Sequence, residues 1–156
     1  MSRSGRRPGS SGGGRRRGPG DVSDRTFRFL SRAAIEALHR ETLAEHGGLE
    51  GIRDEGLLES AIARPRQRAG YEPEATEVDL AASLAFGLSR NHPFHDGNKR
   101  IALIAAFSFL ELNGRRVVAG EAEAFDAFMR LAAGELDEAG LARWIAANSR
   151  AGRSRR

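Results

Sequence analysis

Residues His92 to Arg100, HPFHDGNKR, gather more reactive side chains than any other part of the chain. Two imidazoles, a carboxylate, an amide, a lysine and an arginine fall within nine residues. A histidine side chain can take up or release a proton near neutral pH, which suits His92 to act as a general base. The carboxylate of Asp96 is the kind of ligand that Mg²⁺ prefers together with phosphate oxygens. We therefore predict acid–base chemistry on a phosphorylated ligand.

The segment that follows is predicted to position these groups as a helix. The run IALIAAFSFLEL, residues 101–112, is apolar on nearly every side, which is typical of a helix buried on most of its faces. Gly97 gives the backbone freedom to turn into this helix. Asn98, Lys99 and Arg100 then occupy its first turn, where free N–H groups and the helix dipole favour an anion. We expect that anion to be a phosphate, held by the Asn98 amide and by a bidentate contact with Arg100.

The same residues could also have other roles. Asp96 could cap the helix, and Phe94 is expected to anchor the loop in the core. His95 next to Asp96 also resembles the His-Asp pair of metal-dependent phosphohydrolases. That site needs further ligands from other helices, and only His39 and His46 remain, both on the first helix. A phosphate loop of the GxxxxGK[ST] type is absent from the sequence.

Length and composition indicate one globular domain. The chain has 156 residues and no cysteine, which excludes disulfides, thiolate metal sites and cysteine nucleophiles. No apolar run reaches the roughly 18 residues that span a bilayer, and no signal-peptide core follows the first arginines. We therefore expect a cytoplasmic protein without a membrane partner.

Charge divides the chain into three parts. Residues 1–20 carry six arginines and no acid, and residues 150–156 carry four more. Residues 21–149 hold 15 basic and 21 acidic side chains, a net charge near −6. We predict a disordered tail over 1–20, a catalytic domain over 21–149 and a basic tail over 150–156. The tails could bind RNA non-specifically, or be merely solvated, or translation could begin near Val22.

The pattern of apolar residues predicts six helices, short connections and no convincing strand pair, which is an all-α bundle around a buried central helix. Ser31 and Asp54 are expected to cap the first two helices. Pro65 is expected to end the second, so that residues 64–76 form a loop. The segment 27–30 is short and apolar and could form one small strand. The third helix covers about residues 77–90, and the last two follow near 121 and 138.

HPFHDGNKR resembles the signature of the Fic/Doc superfamily, and with Lys99 after Asn98 it is similar to the Doc (death-on-curing) branch. The segments LLESAIARP, residues 57–65, and FLELNG, residues 109–114, also look like Doc sequence. The resemblance covers about residues 27–146. It implies a compact helical fold, and transfer from ATP, with Mg²⁺, to a hydroxyl side chain of a protein.

The resemblance also implies roles for the residues of the motif. His92 matches the catalytic base, and Asp96 matches the acidic residue that contacts the metal. The phosphate pocket would be formed by the four residues that follow, and two of them join His92 and Asp96 in the catalytic set. The pocket residues are Gly97, Asn98, Lys99 and Arg100, of which Lys99 and Arg100 are the catalytic pair.

Two departures separate this chain from the adenylyl-transferring pattern HPFx[DE]GNGRxxR. Lys99 replaces its second glycine and Leu103 replaces its second arginine. The Doc branch is understood to phosphorylate translation elongation factor Tu and so to halt translation. The sequence also lacks the [ST]xxxE[GN] inhibitory helix of many Fic proteins, so control would come from a separate, Phd-like antitoxin chain. We predict a toxin kinase of a type II toxin–antitoxin pair, with adenylyl transfer or a degenerate, antitoxin-bound module as alternatives.

Overall fold

A computed structural model of the chain describes residues 26–152. Six helices account for most of this part, which confirms the prediction of an all-α bundle. They are α1 (Arg32–His46), α2 (Glu55–Tyr71), α3 (Glu77–Asn91), α4 (Asn98–Leu112), α5 (Glu121–Ala132) and α6 (Glu138–Ala147). Two short strands, β1 (Arg115–Val117) and β2 (Ser149–Ala151), complete it. The predictions for residues 1–20 and for the last four residues lie outside the described range.

Side-chain caps fix where several helices begin. Ser31, Asp54 and Asp137 each accept a hydrogen bond from a backbone N–H in the first turn of α1, α2 and α6, at 3.0, 2.9 and 2.7 Å. Such a bond satisfies one of the N–H groups that a helix leaves unpaired at its start. The two caps predicted for the first two helices are thereby confirmed.

The second helix does not end at Pro65, so the predicted loop over 64–76 is wrong. Pro65 is buried inside α2, which continues for six more residues to Tyr71. The turn around the proline is held from outside: Arg64 donates to the backbone oxygen of Ser83 in α3 at 3.1 Å and pairs with Glu138 in α6. Arg68, one turn on, contacts the same Glu138 at 2.8 Å. These contacts outweigh the local tendency of proline to break a helix.

The core is centred on α3, which packs against α4, α2 and α6. Ten residues of α3 are buried, against seven of α4, so the helix before the motif is even more enclosed than the one after it. Within residues 26–152 no helix is both long enough and apolar enough to cross a membrane. Because α3 and α4 have the most buried residues, the motif connects the two most enclosed helices of the bundle.

The structure contains one small sheet that the sequence analysis did not predict. β1 and β2 pair antiparallel, with Arg116 opposite Arg150 and Val117 opposite Ser149. The pair extends past residue 149, the end of the predicted domain. The segment 27–30, considered as a strand, has no regular structure, although Phe29 packs against the core and its ring lies 5.9 Å from that of Phe109.

Candidate active site

The motif begins with an unusual backbone conformation at His92. This residue ends α3 with φ 50° and ψ 55°, and it is the one non-glycine residue within 26–152 that has a positive φ. A left-handed conformation costs about 1–2 kcal/mol for a residue with a Cβ, so neighbouring contacts must hold it in place. Gly97, with φ 81°, provides the second turn and starts α4. The loop between them thus leaves one buried helix and enters the next.

Arg53 clamps the start of this loop, a role that the sequence analysis missed. Its side chain donates to the backbone oxygens of His92 at 2.7 Å and Asn91 at 2.8 Å. Its backbone N–H donates to the oxygen of Pro93 at 2.7 Å. One residue therefore fixes three consecutive carbonyls around the strained position. Nothing in the sequence marks Arg53, because arginine is common here and the residue lies in a connection between helices.

The connection between α1 and α2 supports the rest of the loop. Ile52 forms an isolated β-bridge with Phe94, and His95 donates its N–H to the oxygen of Gly51 at 3.1 Å. A Cβ on Gly51 would lie 3.1 Å from the His95 ring, which is tighter than ordinary packing. This glycine, with φ 111°, therefore allows the two backbones to approach closely.

Phe94 and His39 hold the loop from inside. Phe94 is 2% exposed, which confirms its predicted role as an anchor. Its ring stacks on the imidazole of His39 at 3.7 Å between centroids. The Nε2 atom of His39 lies 2.7 Å from the backbone oxygen of Asp96, so a ring N–H donates to that carbonyl. His39 is therefore a brace from α1, and not a spare ligand as the sequence left open.

Asn98 is likewise committed to the loop. Its side chain accepts from the Phe94 N–H at 3.0 Å and donates to the Phe94 oxygen at 2.9 Å. Nδ2 also lies 3.5 Å from Nδ1 of His92. The oxygen and one N–H of the amide that we expected to bind a phosphate are thus bonded to Phe94. The backbone N–H of Asn98 is left for an anion at the start of α4.

The N-terminal end of α4 is open for such an anion. Among the described residues no side chain caps it, and Asp96 does not take that role, because its Oδ2 accepts the N–H of Leu49 at 2.7 Å. Lys99 is exposed, and neither it nor Arg100 pairs with an acid within residues 26–152. The guanidinium of Arg100 lies 4.8 Å above the ring of Phe125 in α5, a cation–π contact that orients it.

These groups meet in one cavity of about 340 Å³, here called the motif cavity. It is lined by His92, His95, Asp96, Gly97, Asn98, Lys99, Arg100, Phe125 and Met129. All six predicted site residues are thus brought together. Phe125 and Met129 were not predicted as site residues, and both are half-buried at the wall of the cavity. The 20 residues between the motif and α5 carry no signal of this proximity.

The side chains present fit a magnesium ion shared with a phosphate ligand. Mg²⁺ is usually held by one or two carboxylates plus substrate oxygens. Asp96 is exposed, and its Oδ1 has no hydrogen bond to any residue that the structure describes. No group of three or more metal-binding side chains occurs in residues 26–152. The phosphohydrolase alternative therefore lacks its ligand set in the described part of the chain.

Comparison with known proteins gives consistent matches. A sequence model of the Fic/DOC family matches residues 29–110, which include the whole motif. "Protein kinase doc" of Escherichia phage P1 is 36% identical over 91 residues, 58% of this chain and 72% of that protein. "Toxin Doc" of Mycolicibacterium smegmatis is 45% identical over 74 residues, 47% of this chain and 57% of that protein. The chain belongs to the Fic/DOC family and, within it, to the Doc branch.

Proposed function

We propose that this protein is a toxin kinase that transfers the γ-phosphate of ATP to a hydroxyl side chain of a protein. One observation carries the proposal: an exposed histidine shares the motif cavity with an open helix N-terminus, whose two cations pair with no acid within residues 26–152. The histidine is suited to take a proton, and the helix N-terminus with its cations is suited to hold a polyphosphate. A relative named as a protein kinase supports this reaction over adenylyl transfer.

The chemistry requires little more than positioning and charge. The acceptor hydroxyl loses its proton to the free ring nitrogen of His92 while its oxygen forms a bond to the γ-phosphorus. The bond between that phosphorus and the bridging oxygen breaks, and ADP leaves. The first N–H groups of α4, with Lys99 and Arg100, stabilise the charge on the phosphoryl oxygens. Asp96 would hold Mg²⁺, which neutralises part of the triphosphate charge when it is bound.

Lys99 is the residue on which the choice between the two transfers depends. A glycine at this position would let a phosphate approach the bare backbone of the helix. Lysine fills that space and supplies a point charge, while the guanidinium of Arg100 can donate two parallel hydrogen bonds to one phosphate. With Leu103 in place of a second arginine, we infer that the γ-phosphate rather than the α-phosphate lies beside His92.

We further propose translation elongation factor Tu as the acceptor, so that the reaction blocks translation in the cytoplasm. Control would come from a separate Phd-like antitoxin, because the sequence contains no inhibitory helix motif of its own. A small reading frame immediately upstream, whose product abolishes the activity when mixed with this protein, is expected. A product that binds without any effect on activity would contradict this mode of control.

Labelled ATP decides which group is transferred. The full chain is incubated with elongation factor Tu and either γ-labelled or α-labelled ATP, and the mass of the target is measured. We expect label from the γ position only and a gain of about 80 Da, the mass of one phosphoryl group. Label from the α position, with a gain of about 329 Da, would replace the kinase by an adenylyltransferase. Unlabelled elongation factor Tu would exclude it as the acceptor.

A further inference from the structure

A second cavity also borders His92. It has a volume of about 400 Å³ and is here called the side cavity. Its walls come from the end of α3, the end of α5 and the connection to α6: Phe86, Ser89, Arg90, His92, Leu131, Ala132, Ala133, Gly134, Leu136 and Asp137. His92 is the one residue that lines both this cavity and the motif cavity.

The two cavities differ in the charge that they offer. The motif cavity is at the N-terminal, positive end of α4. The side cavity is formed at the C-terminal, negative ends of α3 and α5 together with the positive start of α6. Its single cation, Arg90, lies 5.3 Å above the ring of Phe86. Its single carboxylate, Asp137, already caps α6. The side cavity is therefore unsuited to a triphosphate.

Apolar surface makes up much of the side cavity. Phe86, Leu131 and Leu136 contribute it, and Leu131 is buried while the other two are half-buried. Arg90 is exposed at the wall and its guanidinium edge remains available to an acceptor group. An occupant that combines an apolar side chain with a carboxylate or a backbone carbonyl would match this lining. Such chemistry is typical of a protein segment.

Phosphoryl transfer relates the positions of donor and acceptor. The attacking and leaving oxygens lie roughly in line on opposite sides of the phosphorus. If ADP occupies the motif cavity, the hydroxyl must lie beyond the γ-phosphorus and beside His92, which takes its proton. The side cavity is the second space that His92 lines. We propose that the side cavity binds the hydroxyl-bearing segment of the acceptor protein, with an apolar residue beside the hydroxyl. This inference rests on the proposed kinase function, which fixes the direction of ADP.

Blocking the side cavity without touching the motif tests the proposal. Ala133→Phe adds a ring at an exposed residue whose φ of −81° suits any side chain. Ala147→Phe, at the exposed end of α6 and outside both cavities, is the matched control. With elongation factor Tu and γ-labelled ATP, we expect Ala133→Phe to raise the KM for the protein about tenfold or more. The Kd for ATP, measured by calorimetry, and the thermal midpoint should stay at the control values.

A second variant guards against a local disturbance at the end of α5. Arg90→Gln removes the cation from the opposite wall and should also raise the KM for elongation factor Tu, by about threefold to tenfold, with the Kd for ATP unchanged. If either variant weakened ATP binding while the KM for the protein stayed constant, the cavity would hold the nucleoside and the proposal would be wrong. No change in either constant would equally overturn it.

The wild-type protein alone reports on the proposed function. Transfer of α-label to the target by the wild type would exclude the kinase reaction, whatever the two variants do. Transfer of γ-label by the wild type, with the KM for the protein unchanged in both variants, would exclude only the assignment of the side cavity. The two failures therefore give different results in the same assay.

Discussion

The inner and outer sides of the motif loop are built for different tasks. On the inner side, Phe94 is buried, the Asn98 amide bonds both backbone groups of Phe94 and His39 donates to the Asp96 carbonyl. On the outer side, the His92 ring and Lys99 are exposed, and no acid within residues 26–152 pairs with Lys99 or Arg100. The polar groups of the inner side bond to each other, whereas those of the outer side remain available to a ligand.

This difference predicts which measurements respond to mutation. A buried polar side chain that loses its partners costs stability, because the unpaired groups remain away from water. An exposed group that contacts only a ligand contributes little to the free energy of folding, so its loss is felt mainly in binding or catalysis. Substitutions on the inner side should therefore lower the thermal midpoint, and those on the outer side should lower activity at constant stability.

The largest effect is expected for His92→Ala, on the outer side. Loss of a general base typically lowers the rate by about 10²–10⁴-fold. The thermal midpoint should not fall, because the ring is exposed and alanine keeps the backbone bonds to Arg53. Rates of γ-phosphate transfer and melting curves, measured on the same preparation, check both parts. Transfer close to the wild-type rate would show that another group is the base.

An intermediate effect is expected for Asn98→Ala, on the inner side. It leaves the N–H and oxygen of Phe94 unpaired in a buried place, which should lower the free energy of unfolding by about 1–3 kcal/mol and the thermal midpoint by several degrees. Activity should fall with it, because the loop loses its shape. Urea titration and transfer assays measure the two quantities.

Asn113→Ala is the matched control for that prediction. Asn113 follows the opposite end of α4 and also bonds backbone groups, those of Arg28 and Phe109. Its loss should reduce stability and leave kcat unchanged at temperatures where the protein is folded. If the two variants lost activity equally, the inner side of the motif loop would have no special link to the site.

Local rules predicted most of the fold and failed where distant residues decide. Caps and apolar spacing gave the helices, since Ser31 and Asp54 act within one turn. The prediction that Pro65 ends α2 failed because Arg64 and Arg68 bond to Glu138 in α6, and no local pattern reveals these contacts. β1 and β2 pair across more than 30 residues, and three-residue strands carry too little pattern to detect.

The candidate site shows the same division. Its predicted residues are contiguous, from His92 to Arg100, so their types and order were enough to suggest a phosphate site. The contacts that hold these residues come from three other elements and could not be predicted: Arg53 from a connection, His39 from α1 and Phe125 from α5. Each has an ordinary type and a position explained by burial or exposure alone. Only the assembled fold shows that they hold the motif.

The smallest effect is expected from removal of the arginine-rich ends, which lie far in sequence from both sides of the loop. A protein truncated to residues 21–152 keeps the whole described structure and should transfer phosphate at the wild-type rate. Its RNA binding, if the full chain shows any, should be lost, because neutralised phosphates dominate such binding and most of the ten terminal arginines are gone. Filter binding at two salt concentrations and the transfer assay measure both.

Truncation at residue 149 tests the boundary itself. That cut removes Arg150 and Ala151 from β2 and the Gly152 N–H that donates to the Gly114 oxygen at 2.5 Å. Because these bonds are at the exposed edge of the molecule, we expect the loss to be only about 1 kcal/mol of unfolding free energy relative to the 21–152 protein. Activity should be the same in both, since the sheet touches neither cavity. Identical urea midpoints would place the end of the folded unit at 149, whereas a loss of activity would connect the sheet to the motif loop.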